Sequence, residues 1–156
     1  MSDVLEIVFE EVQKKCAIDL VLHLLSLTEK VMDAYSSIGG FEIREGSVIK
    51  NSLIDLVEFE GGGAVIVTVQ GFQLGCLKIS SALIRLVKYD RKYDVDFSFD
   101  SSATTDTYGL MKKLHREAKL IADKFSATSF FGGLEPANDA ETQFFCNDNE
   151  GPLMRV

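Results

Sequence analysis

Apolar and polar residues recur along this chain with two periods, near 3.6 and 2, and the changes of period mark the predicted elements. In residues 4–12, Ile7 and Phe9 alternate with Glu6 and Glu10, which predicts a half-buried strand; a helix continuing into the next segment is the competing reading. Over residues 17–35 the apolar positions Ala17, Val21, Leu24, Leu25, Thr28, Val31, Met32 and Tyr35 recur at helical spacing. Asp19, Ser26, Glu29, Lys30 and Asp33 fall mostly elsewhere on the wheel, so one helix is predicted here, stopped by Gly39-Gly40. His23 lies off the stripe and reads as a boundary histidine.

From residue 41 to 100 the period becomes two. Phe41 and Ile43 alternate with Glu42 and Arg44, residues 53–60 predict another strand, and Gly61-Gly62-Gly63 supplies a turn. Residues 64–69 are β-branched and uncharged on both faces, as in a central strand. Gly71 and Gly75 bracket a turn or bulge before a strand at 76–80. Residues 83–89 and 93–99 form a hairpin around Asp90-Arg91, whose second arm sets Tyr93, Val95, Phe97 and Phe99 on one face and Asp94, Asp96 and Ser98 on the other.

Residues 101–107 are rich in helix-capping side chains. A second helix follows, with Leu110, Leu114, Ala118, Ile121, Ala122 and Phe125 on one face and Lys112, Lys113, Arg116 and Lys119 on the other. In the tail, Asn138 with Glu141 resembles a capping box opening a short helix. These elements predict an α+β fold: a mainly antiparallel sheet of about five to six strands, two longer helices, and an aromatic-rich C-terminal segment. No repeat or linker divides residues 1–156, so one domain is expected.

Composition narrows the function classes. A 156-residue chain hides roughly 70% of its unfolded surface and needs no metal or disulfide staple. Cys16, Cys76 and Cys146 form no CxxC pair and read as free thiols of a reducing compartment. The N-terminus lacks the basic region of a signal peptide, and the apolar run at 16–27 is too short to span a bilayer. A cytoplasmic protein without membrane contact is expected. The net charge of −8 argues against nucleic acid as partner. The charge is also uneven: residues 1–60 carry 12 acids against 5 bases, whereas residues 110–125 carry 5 bases against 2 acids. Such a field attracts a basic partner, although carboxylates that only keep the chain soluble would give the same count.

No phosphate loop, dinucleotide fingerprint, HExxH or GxSxG motif occurs. No catalytic residue, metal or cofactor is therefore assigned. Asp94, Asp96 and Asp100 share one strand face and are the best carboxylate set; with His115 as base they could serve acid–base chemistry, or they could form a solvated strand face. The stronger constellation is a protein-binding surface. It joins Asp94, Asp96 and Asp100 to the tail acids Glu135, Asp139, Glu141, Asp148 and Glu150, among Phe130, Phe131, Phe144 and Phe145. The alternative is that the phenylalanines complete the core while the acids face water.

Phe131-Gly132-Gly133-Leu134-Glu135-Pro136-Ala137, then Glu141-Thr142-Gln143-Phe144-Phe145, then Gly151-Pro152-Leu153, resembles an ending of small bacterial immunity proteins encoded beside polymorphic or contact-dependent toxins. The resemblance covers about the last 25 residues. It implies a non-enzymatic protein that binds one cognate toxin domain and blocks it. An acidic secretion chaperone, which would be a homodimer with apolar grooves, is the alternative binding module.

Overall fold

The computed structural model describes residues 3–38, 41–43 and 46–154. Gly39-Gly40, the expected helix stop, and Arg44 of the first alternating pair lie outside the described residues. Among the described residues the chain runs β1 (Val4–Glu10), α1 (Lys14–Ser26), β2 (Lys30–Ser36), β3 (Phe41–Ile43), α2 (Gly46–Glu58), β4 (Gly63–Leu74), β5 (Leu77–Tyr89), β6 (Lys92–Asp100), α3 (Thr107–Lys124), β7 (Ser129–Leu134), β8 (Gln143–Cys146) and β9 (Asn149–Glu150). Every strand belongs to one antiparallel sheet in the order β3-β2-β4-β5-β6-β1-β7-β8-β9. The α+β class holds, but the described residues form nine strands rather than five or six, and three α-helices rather than two.

Two segments adopt structures other than those their periodicity predicts. The apolar stripe of residues 17–35 stays helical only through Ser26, burying Ala17, Leu20, Val21 and Leu24. Tight bonds from the Leu27 and Thr28 amides to Leu24 and Leu25, and from the Thr28 hydroxyl to the Leu25 carbonyl, then turn the chain out. Lys30–Ser36 pairs with β4 instead. Residues 53–60, expected as a strand, fall mostly in α2, where Ile49, Leu53, Leu56 and Val57 make a buried helical stripe. Lys88 and Tyr93 close that helix: the Lys88 ammonium donates to the carbonyls of Leu56, Val57 and Phe59, and the Tyr93 hydroxyl reaches Val57.

Several other expectations hold. β1 is a strand whose Leu5, Ile7 and Phe9 are fully buried. The hairpin of β5 and β6 turns at Asp90 and Arg91, both with positive φ, as a two-residue turn requires. In β4, Val65, Val67 and Val69 and then Phe72 and Leu74 are buried, so the inward parity changes at Gly71, whose φ of +74° suits a residue without Cβ. Asp106 caps α3 by accepting from the Gly109 amide at 3.0 Å. The box expected from Asn138 is instead a single 3-10 turn, Ala140–Thr142, preceded by Asp139.

All three helices pack on one face of the sheet: α1 on β5 and β6, α2 on β2, β4 and β5, and α3 on β7 and β8. The main apolar core lies between them and the sheet. Among the described residues the opposite face carries no α-helix, and it holds the candidate site. Among the described residues no helix is long and apolar enough to cross a membrane.

Candidate functional site

Strand alternation sends every second side chain to the open face, and the registers of the antiparallel pairs align those side chains into rows. One row runs Tyr35, Ile66, Arg85, Asp96, Val8, Phe131 across β2, β4, β5, β6, β1 and β7. The next runs Asp33, Thr68, Leu83, Ser98, Glu6, Gly133. Where β5, β6, β1 and β7 meet, these rows line a cleft of about 470 Å³, walled on one side by Glu135, Pro136 and Asn138. Five carboxylates line it (Glu6, Glu10, Asp94, Asp96 and Glu135) against one base, Arg85.

The carboxylates are held by the sheet itself. Arg85 Nε donates to both oxygens of Asp96, at 2.9 and 3.2 Å, and its guanidinium lies 3.8 Å from Glu6. Glu6 accepts from the Ala137 amide at 2.7 Å, and Gln143 donates to the Ala137 carbonyl at 2.9 Å, which fixes the 135–138 wall to β1 and β8. Asp94 accepts from the Glu11 amide, and Glu10 from the Ser129 hydroxyl. Burial outweighs Arg85 and pushes Asp96 up to about 6; burial likewise raises Glu6, with Glu135 adding repulsion. Two buried acids therefore share one guanidinium, and the surplus charge of the cleft is negative.

Of the residues singled out in the sequence, Asp94, Asp96 and Glu135 come together in this cleft. Asp100 ends β6 and accepts from the Ser102 amide at the start of a 3-10 turn. Asp139 and Glu141 are exposed at the Ala140–Thr142 turn, outside the cleft lining. Phe131 is 6% exposed at the cleft wall, packed with Val8 and Ala137. Phe130 is buried on the opposite, helix-covered face, near His115 and Phe145. Phe144 and Phe145 are buried as well. His115 stacks on Phe145, with ring centroids 4.5 Å apart, and bonds the Asn147 carbonyl. It thus lies across the sheet from Asp94 and Asp96, and the arrangement with His115 as their base does not form. Glu6, Glu10 and Arg85 were not selected from the sequence; the alternation of Glu6 and Glu10 with Ile7 and Phe9 was the available signal.

A one-sided antiparallel sheet with an acidic cleft on its uncovered face is the class of protein that residues 3–154 define. The chain belongs to the PABL017 Cdi1I immunity protein family, whose model matches residues 3–150. The structure resembles a chain in the 1.75 Å crystal structure of the toxic C-terminal tip of CdiA from Pseudomonas aeruginosa in complex with immune protein, with a TM-score of 0.84 and 27% identity over 98% of this chain and 99% of that one. No curated protein matches the sequence.

Proposed function

We propose that this chain is a non-enzymatic, cytoplasmic immunity protein, acting as one domain, that binds and neutralises the toxic C-terminal tip of a contact-dependent inhibition protein through its acidic surface. Membership of the immunity family carries the reading, because the similar solved structure is a complex of such a tip with immune protein. The charge of the open-face cleft supports the finer part. Carboxylates held rigidly in a sheet attract a basic domain over distance and hold it without paying to order long side chains. A basic toxin surface is the partner that field selects. Asp94, Asp96 and Glu135 are its central contacts in this reading, with Phe131 at the wall and Asp100, Asp139 and Glu141 as outlying acids.

Co-expression tests the proposal. A bacterial host producing the toxin tip encoded beside this chain should grow only when the chain is also produced, and the two should co-purify one to one. Asp94→Lys combined with Glu135→Lys should abolish both effects while the chain stays folded. Protection that survives this double reversal would refute the acidic surface, and failure of the wild type to protect would refute the immunity reading.

A further inference from the structure

We infer that the docking surface is the open sheet face as a whole: an uncovered apolar band on β2, β4 and β5 seats an apolar cluster of the toxin domain, and the adjoining cleft receives that domain's arginine or lysine side chains. The inference rests on the toxin-binding reading above and says where and how the contact is made.

An antiparallel sheet covered by helices on one side normally turns polar residues to the other. Here the open-face positions of β2, β4 and β5 include the apolar Tyr35, Ile66, Leu83 and Val87 beside Asp33, Thr68 and Arg85, with Tyr35 42% and Leu83 39% exposed. Single exposed apolar side chains need no explanation, but neighbouring ones rimmed by charge mark contact surfaces. These four are neighbours by register: Tyr35 is opposite Ile66, Ile66 is opposite Arg85, and Leu83 and Val87 flank Arg85 on the same face of β5. The band is also continuous with the cleft, because the row through Tyr35 and Ile66 runs on through Arg85 into Asp96, Val8 and Phe131.

Charge selects the occupant. Covering the cleft with a neutral or acidic surface would take Glu10, Asp94 and Glu135 out of water beside a guanidinium already shared by the buried Asp96 and Glu6, which is strongly unfavourable. A cationic side chain removes that cost. Val8, Val87, Phe131 and Pro136 in the lining offer apolar wall to the alkyl stem of an arginine or lysine while the acids meet its head. On the helix-covered side α3 has the opposite character, since it carries exposed Lys112, Lys113 and Arg116 and repels the same partner. The cleft therefore attracts while α3 repels, which orients the encounter.

The test measures binding of the purified toxin tip encoded beside this chain to the wild type, to Leu83→Glu, to Glu135→Lys, and to the pair Asp139→Lys/Glu141→Lys on the exposed 3-10 turn. All the altered side chains are exposed, and equal urea midpoints would show that the fold is kept. Leu83→Glu and Glu135→Lys should each weaken binding about tenfold or more, as removal of a central contact does, with the tail pair much less affected. Wild-type affinity in both face variants would overturn the inference, and if the tail pair then loses binding, the toxin-binding reading stands with its contact moved to the tail. A wild type that does not bind the tip would refute that reading itself.

Discussion

Asp96 is 4% exposed, with one guanidinium as counter-ion, and burial lifts it from an ordinary 3.8 to about 6. A folded pKa above the unfolded one means that proton uptake favours the folded state. The stabilisation is complete below the unfolded value and disappears as the pH rises through about 6. Asp96→Asn cannot take up that proton. Relative to the wild type, the variant should therefore lose about 2 kcal/mol of stability between pH 7.5 and pH 4.5, read from urea midpoints. Parallel stability curves would contradict the account. Lys88 is a further buried charge with structural consequence. Lys88→Met keeps the alkyl stem but takes its donor from the Phe59 carbonyl and one of two donors from those of Leu56 and Val57, and should cost about 2–3 kcal/mol. Faster amide exchange in the last turn of α2 should accompany it; an unchanged midpoint would mean that water replaces the ammonium without cost. Asp94 and Asp96 could be placed on one face from alternation alone. That Asp96 is paired and buried could not be read, because Arg85 reaches it only through the β5–β6 register.

At the scale of elements, β7 and β8 approach too closely for any side chain at Gly133. A Cβ there would lie 2.1 Å from the Thr142 carbonyl oxygen and 2.9 Å from the Gln143 Cα. Both are backbone atoms, so no rotamer change relieves the contact. Gly133→Ala should destabilise the protein by on the order of 3 kcal/mol, with residues 143–150 losing hydrogen-exchange protection before the rest of the sheet. Wild-type protection there would show that the strands can separate freely. Two segments depart from their expected element for different reasons. Leu53, Ile54, Leu56, Val57 and Phe59 fit a period of two over eight residues nearly as well as 3.6, and only Ile49, one turn earlier, reveals the helix. Val31, Met32 and Tyr35 continue the helical stripe of α1, but pairing of Val31 with Val69 and of Tyr35 with Ile66 in β4 claims the segment for the sheet, with Met32 in the register shift between them. Tertiary hydrogen bonding outweighed local pattern in β2. The hairpin at Asp90-Arg91 and the helix capped by Asp106 were legible because their signals are local.

At the scale of the whole molecule, the sheet order decides what the acids can do. β1 enters between β6 and β7, which brings Glu6 and Glu10 beside Asp94, Asp96 and Glu135 from three distant parts of the chain. The excess of acids over bases was visible in composition, but its concentration on the helix-free face depends on this order and was not. The tail phenylalanines show the converse: their pattern marked the immunity family, while their side chains mostly finish the core. A surface of this charge makes association sensitive to salt, because the attraction acts over about 10 Å at 0.1 M and fades as salt rises. The most direct test is calorimetric titration of the toxin tip encoded beside this chain, at 50 and 300 mM salt, against the wild type and the Asp94→Lys/Glu135→Lys variant. The account predicts a one-to-one complex that weakens with salt and is lost in the variant. No complex, or one indifferent to both salt and charge reversal, would contradict it.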